Sequence, residues 1–419
     1  MRKPVTEAYV FAQSPQGKLE RAGHLQVSRT AGTFTYAENW LTRSWAYPLD
    51  PVNLKLHADT QTVRNTLRVF PVFSDAGPDD WGTRVLMAGH QQLPANELER
   101  LLATNGHGVG CLQFSLSRTR PKQRKALPTT ALLSELEQAT QKIIRQEPVN
   151  PALMEILMPN TSVGGARPKV TLLGEEGDGE GKEYLAKFAK HDDPINSPRV
   201  EYATMTLARQ CGIDIPDIHI HPLGERDAFL IRRFDRRGSH PDKNALHHSQ
   251  HHYALHYLSA HSLFNRDKTR LYDDAFQDPC SYIALAKILR SHGSHYQEDL
   301  RQLYKRIIFN VYIGNTDDHG RNHGLTFDPT NPGWRLAKGF DIIPTISASH
   351  EQAMGVGTLG RLRSLENVRS AAPAFGLNEA QANQEIQQIL DVAGNWEADF
   401  RDCGVSANDI QLLKQVISK

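Results

Sequence analysis

Residues 315–324 read Asn-Thr-Asp-Asp-His-Gly-Arg-Asn-His-Gly, directly behind the apolar run IIFNVYIG. Two acids, a histidine and an asparagine are crowded there between small residues. Asn, Asp and Gly are the residues that turns select, so a solvated turn is one reading. The other is a catalytic loop, in which a carboxylate takes a proton while a neighbouring oxygen holds a cation. The choice depends on what the rest of the chain supplies.

Asp317 and Asn322 stand five positions apart, which is the Asp-to-Asn spacing of the protein-kinase catalytic loop. In that arrangement the aspartate accepts the proton of the substrate hydroxyl, and the asparagine holds a magnesium ion on the phosphates. The following hairpin ends at Gly339-Phe340-Asp341 and returns a carboxylate towards the loop, so Asp341 is the candidate second metal ligand. Upstream, SVGGARPK lies before a strand, where the backbone of Val163, Gly164, Gly165, Ala166 and Arg167, followed by Lys169, could approach nucleotide phosphates. Lys187 lies in the strand EYLAKFA with Leu185 and Ala189 on its face, and Glu201 opens the next helix as an acid able to orient it. Each part alone has an ordinary reading as a turn, a surface lysine or an acid at a helix N-terminus. Their joint order, glycine segment, lysine, glutamate, Asp-x4-Asn, aspartate, is what points to a kinase.

Composition bounds the alternatives. The chain has 419 residues, 39% hydrophobic and 23% charged, which suits two or three globular domains. With 48 basic against 47 acidic residues the net charge is +1, so no global field favours nucleic acid or a membrane. Cys111, Cys211, Cys280 and Cys403 form no CxxC pair and no disulfide framework. The N-terminus lacks the apolar stretch of a signal peptide, and no run of about 18 apolar residues occurs, so a soluble cytoplasmic protein is expected.

The elements that must carry these residues can be read from pattern. YVFAQ, LERAGHLQVS and GTFTYAE read as strands, the first two flanking the turn SPQG. Pro78 and its neighbouring acids start a helix near Trp81, and NELERLLATNGHGVGCLQF reads as helix, glycine turn and strand. The basic stretch SRTRPKQRKALP is the linker candidate. After a helix in LLSELEQATQKIIRQ come strands KVTLL and EYLAKFA, helix PRVEYATMTLARQCGI, and strands in DIHIHPLG and DAFLIRRFD. From about residue 245 the pattern is helical, except where DPTNPG divides two short strands. No internal repeat is evident. The expected fold class is α+β, bilobal and kinase-like, with a mostly helical C-terminal lobe and an added N-terminal mixed β subdomain. The expected domains are residues 1–125, 126–238 and 239–419.

SVGGARPK, YLAKF, VEYATMTLARQCGIDIP, FLIRRFDR, IIFNVYIGNTDDHGRNHG and W-x-LAKGFDIIPT together resemble the HipA family of serine/threonine kinases from bacterial toxin-antitoxin pairs. GPDDWG resembles that family's N-terminal subdomain. The resemblance implies Asp317 as catalytic base, Asn322 and Asp341 as magnesium ligands, and Lys187 on the phosphates of ATP. It implies Arg232, Arg233 and Phe234 at the adenine hinge, and Ser162 as an autophosphorylated serine whose modification ejects the glycine loop. Asp318 would be a structural acid, and His319 would brace the loop by hydrogen bonds near the nucleotide. The cofactors implied are ATP and Mg2+. The partners implied are a protein substrate within translation, such as an aminoacyl-tRNA synthetase, and a helix-turn-helix antitoxin that carries most of the contact with operator DNA. The segment IIPTISASHEQAMGVG has neither the Phe-Gly of DFG nor an APE motif, so conventional activation-loop control is not expected. Two other readings stand beside this one. Histidine pairs 247/251, 248/252, 252/256 and 319/323 have the spacing of a metal-dependent hydrolase acting on nucleic acid. An inactive kinase-like scaffold would bind DNA through SRTRPKQRK.

Overall fold

The structure, a computed structural model, describes residues 3–417 apart from 90–93, 105, 159–164, 176–180, 238–252, 265–273 and 348. The chain forms two compact units, each discontinuous in sequence. The first comprises Met1–Lys190, Arg232–Leu258 and Thr326–Pro332, and the second His191–Ile231, Ser259–Leu325 and Gly333–Lys419.

The first unit begins with an antiparallel sheet in the spatial order Gln61–Val63, Gly32–Tyr36, Leu19–Val27, Glu7–Gln13, Gln113–Ser115. In Gly32–Tyr36 the alternation is clean: Gly32, Phe34 and Tyr36 are buried and the threonines between them are half-buried. Phe34 meets Phe73 at a ring separation of 5.1 Å, and Phe73 meets Phe114 at 6.0 Å, which makes an aromatic core under the sheet. The helix Asp80–Gly89 starts where the Pro-Asp-Asp signal places it. Leu133–Ile144 buries Leu133, Leu136, Thr140 and Ile143 at helical spacing. A further helix, Pro151–Leu157, is capped by Asn150 and was not anticipated from pattern. The hairpin of Lys169–Leu173 with Glu183–Phe188 completes the unit's sheet structure relevant to the site.

The basic stretch 117–128 is divided between surface and interior. Lys122 turns inward to donate to the carbonyls of Leu102 and Thr104, and the Lys125 carbonyl binds the His107 ring. Arg118, Arg120 and Lys125 are exposed, as the solvated face of a charge run is, while the long Lys122 stem reaches orphan carbonyls at a helix end.

Two histidines of this unit are buried and bonded to carbonyls, His107 to Lys125 and His256 to Leu49, each 2.7 Å away. Burial pushes both down to about 4. An unfolded histidine titrates near 6.5, so between those values the unfolded chain binds protons that the folded one does not, and stability falls as pH falls. Thermal melts from pH 7 to 4 should show a loss of roughly 3 kcal/mol per histidine at the acidic end. His256→Asn should flatten that slope, and an unchanged slope would refute the assignment.

The second unit pairs Ile218–Leu223 with the strand Arg226–Arg232, from Ile218 against Ile231 to Leu223 against Arg226. Its remaining bulk is helical: Ser197–Gln210, Tyr282–His292, Tyr296–Ile313, Glu379–Ala393, Trp396–Asp402 and Ala407–Leu413 are the main members. Start signals work as the residue types require, with Ser281 accepting from Ala284 N and a full capping box between Asn378 and Gln381. The Tyr296–Ile313 helix is buried continuously from Arg306 onward and stops at Gly314, whose φ of +74° is left-handed. A side chain there would also lie 2.6 Å from the Val416 carbonyl, so only glycine fits. The hairpin strands Gly324–Asp328 and Asn331–Leu336, whose middle residues 326–332 belong to the first unit, leave a turn of Pro329 and Thr330, shorter than DPTNPG. No described helix is long and apolar enough to cross a membrane.

Candidate active site

Within the second unit, the buried Tyr296–Ile313 helix delivers the loop that follows Gly314. Asn315 binds back to Asn310 through both backbone and side chain, at 3.0 and 3.1 Å. The two neighbouring acids then meet opposite environments. Asp317 is exposed; its backbone N–H donates to Thr345 Oγ1 at 3.3 Å, and its carbonyl accepts from Asn322 Nδ2 at 3.5 Å. Asp318 is buried and accepts from Tyr282 Oη, from Asn310 Nδ2 at 2.7 Å and from His323 Nε2 at 2.8 Å. Burial by itself would raise the Asp318 carboxyl, but His323 and the donors of His323 and Tyr282 outweigh it and hold the group below its ordinary value. Tyr282 is driven the other way, first by burial and then by the Asp318 charge. Asp318 therefore nails the loop to two helices and leaves Asp317 as the carboxylate that faces outward.

The expected brace from His319 is instead made by His323, the imidazole bonded to Asp318. His319 is half-buried and its Nδ1 has no hydrogen-bond partner among the described residues. Asn322 N is tied to the His319 carbonyl at 2.9 Å, which fixes the turn between them.

Asp341 has φ +58°, a left-handed backbone in a residue other than glycine. Such a conformation costs free energy and persists where surrounding contacts impose it. Those contacts are visible: Gly339 N binds the Asp214 carbonyl, Thr345 N the Gly314 carbonyl, and Ala353 N the Thr316 carbonyl, at 2.8, 3.0 and 3.1 Å. The segment after Asp341 is thus fastened to the loop at Gly314, Thr316 and the Asp317 backbone. Asn322 and Asp341 offer an amide and a carboxylate oxygen, the hard donors magnesium takes, and in that sense the residues fit the ion. Among the described residues no group of three or more His, Cys, Asp or Glu is arranged to hold a metal. His247, His248, His251 and His252 lie outside the described residues.

In the first unit, Ser162, Val163 and Gly164 lie outside the described residues, whereas Gly165, Ala166 and Arg167 precede the strand as expected. Lys169 and Lys187 are directly opposite each other in the antiparallel hairpin, and both are buried. Opposite positions project to one face of a sheet, so two ammonium groups share it. Lys169 Nζ is 3.1 Å from Asp79 Oδ2. Glu201, in the second unit, is buried on the first turns of the Ser197–Gln210 helix.

The hinge residues divide. Arg232 and Phe234 are half-buried, and the Phe234 ring lies 5.7 Å from that of Tyr257. Arg233 is buried with its guanidinium spent on Asp235 and on the carbonyls of His107 and Gly108. Arg236 repeats the pattern with Glu183, Asp235 and the carbonyls of Gly108 and Gly110. A nucleotide contact from the Arg233 side chain is therefore corrected to a structural role, because its donors are used inside the protein. The GHGVG run, read in the sequence only as a turn, supplies these carbonyls. Burial would raise Asp235 and Glu183, but the two arginines hold both carboxyls below their ordinary values. The density of charge in IRRFDRR directly after an apolar strand was the signal for this cluster.

Two family profiles match the chain: the HipA N-terminal domain over residues 16–115 and the HipA-like C-terminal domain over residues 161–396. Among curated proteins, a Sinorhizobium fredii protein provisionally named kinase Y4mE is 23% identical over 370 residues, covering 85% of this chain and 84% of its own. The serine/threonine-protein kinase toxin HipA of Shewanella oneidensis is 24% identical over 334 residues, with 74% and 70% covered. A solved Shewanella oneidensis structure of a toxin-antitoxin system, HipA with HipB and operator DNA, aligns with a TM-score of 0.69 at 17% identity, covering 98% of this chain and 94% of that one. With a kinase-like fold and a C-terminal profile spanning more than half its length, the chain belongs to the HipA family.

Proposed function

We propose that the protein is an ATP-dependent kinase that transfers the γ-phosphate to a serine or threonine hydroxyl of a protein. The observation that carries this reading is the contrast between Asp317 and Asp318: one carboxylate is pinned and buried so that its neighbour is presented outward on a rigid loop. Asp317 accepts the proton of the attacking hydroxyl. Lys187 contacts the nucleotide phosphates, with Glu201 assigned as its paired acid on sequence order alone. Residues 163–167 are assigned to the phosphates, and Arg232, Phe234 and His319 to the border of the nucleotide, on the family reading. Asn322 and Asp341 would hold magnesium, which would supply neutralisation of phosphate charge. The chain's own contribution is positioning and electrostatics, since phosphoryl transfer needs little covalent help.

We further assign Ser162 as an autophosphorylation site and off-switch. A phosphate beside Gly164 and Gly165 adds roughly −1.5 to −2 charge where ATP's phosphates must sit. The solved relative was captured with HipB and operator DNA, which supports a helix-turn-helix antitoxin as partner here, with DNA contacted mainly through it. A substrate within translation, such as an aminoacyl-tRNA synthetase, follows the same family reading, as do arrest of translation and of growth. Incubation with labelled ATP and magnesium, alone and with a cell lysate, is expected to label Ser162 and a lysate protein on serine or threonine. Absence of label on both would refute the kinase reading. Label on Ser162 with unchanged ATP affinity and rate would refute the switch alone.

A further inference from the structure

The motif Gly77-Pro78-Asp79-Asp80-Trp81-Gly82 has no part in the chemistry above, yet it is fastened to the segment that leads into the phosphate-binding strand. Three bonds make the connection. Lys169 Nζ pairs with Asp79 Oδ2 at 3.1 Å, Trp81 Nε1 donates to the Lys169 carbonyl at 2.8 Å, and Trp81 N donates to the Gly165 carbonyl at 3.3 Å. Trp81 is fully buried, and the Asp79 and Lys169 side chains are 11% and 3% exposed. The other oxygen of Asp79 accepts from Gly82 N and so caps the Asp80–Gly89 helix. A single carboxylate thus joins a helix start to the base of the glycine segment, across 90 positions of sequence.

The glycine segment is shaped to this contact. Gly165 has φ +105°, and a Cβ built on it would stand 2.9 Å from Lys169 Nζ. The ammonium therefore fills the space where a side chain would be, and the left-handed backbone favours glycine independently.

Charge gives the reason for the pairing. Lys169 and Lys187 are direct cross-strand partners on one face of the hairpin, and like charges placed so repel. Asp79 places a carboxylate beside one of them. The pair is not a cheap source of stability: burial pushes the Asp79 carboxyl above its ordinary value even with Lys169 beside it.

We infer that Asp79 and Trp81 are positioning residues for nucleotide binding: they latch Lys169 and Gly165 and hold the base of the glycine segment. Lys169 is then an anchor and not a phosphate contact. The inference rests on the kinase reading, and it gives the N-terminal GPDDWG motif a task within that reading.

The test compares purified full-length wild type with Asp79→Asn, Trp81→Phe, and Asp79→Asn combined with Lys169→Met. Asp79→Asn keeps an oxygen for the helix cap but removes the charge. It should raise the KM for ATP and the calorimetric Kd about tenfold or more, with a much smaller change in kcat and in melting temperature. Trp81→Phe should raise both in the same direction by a smaller factor. The double variant should bind ATP no more weakly than Asp79→Asn alone, because the two side chains act as one pair. Wild type that neither binds ATP nor transfers phosphate overturns the kinase reading and this inference with it. Active wild type overturns the latch alone if Asp79→Asn leaves KM and Kd unchanged, if it lowers only kcat and melting temperature, or if adding Lys169→Met makes binding weaker still.

Discussion

Asp317→Asn should abolish phosphate transfer while leaving ATP affinity within a fewfold of wild type. A positioned general base contributes roughly 10²–10⁴-fold, and the amide that replaces it has no lone pair basic enough to take a hydroxyl proton. Geometry says why binding should survive. The contacts that fix the Asp317 backbone, from its own N–H to Thr345 and from Asn322 to its carbonyl, do not involve its carboxylate. The loop is anchored through Asp318. The side chain is also exposed, so exchange of oxygen for amide should leave the melting temperature within about 1 °C, as for a surface substitution. Calorimetry with ATP and magnesium beside a single-turnover transfer assay separates the outcomes. Transfer at the wild-type rate would remove Asp317 from the mechanism. Loss of transfer together with ATP binding would mean that the carboxylate serves the nucleotide and not the acceptor hydroxyl.

How much of this was legible before the structure depends on the range of the interaction. The loop could be read because its information is local: turn residues, a fixed Asp-to-Asn interval and an apolar helix behind them lie within some 25 positions. Strands such as Gly32–Tyr36 and Glu183–Phe188, and helices with Ser or Asn at the N-cap, were readable for the same reason. The latch was not, since Asp79 and Lys169 are 90 positions apart and nothing in either neighbourhood names the other. The buried arginines behave likewise: Arg233 and Arg236 look like nucleotide ligands or surface charge until the carbonyls of His107, Gly108 and Gly110, more than 120 positions upstream, are seen around them. Lys122 shows the converse failure, in which a run of charge reads as solvated although its stem can reach inward. His323 was passed over for His319 because spacing alone does not show which imidazole meets the buried acid.

Asp318→Ala should be the most destabilising single change at the site, and should stop transfer for a reason unlike that of Asp317→Asn. Three donors converge on this carboxylate: the Tyr282 hydroxyl, the Asn310 amide and the His323 ring. All four residues are buried, so truncation leaves polar groups without water or partner and opens space beneath the loop. Removing one member of such a buried charged network costs about 3–5 kcal/mol, which in a unit of this size corresponds to roughly 10 °C in melting temperature. Asp318→Asn tests the charge separately, because it keeps the volume but turns an NH2 group towards donors that need an acceptor. It should recover little of the lost stability. A conservative exchange at the other end, His323→Gln, preserves a donor and should cost less than either Asp318 variant. Melting curves of the three variants, read beside Asp317→Asn, decide the matter. If Asp318→Ala melts like wild type, the carboxylate does not anchor the loop. If Asp318→Ala melts early but transfers phosphate at the wild-type rate below its transition, the anchor serves stability and does not set the position of Asp317.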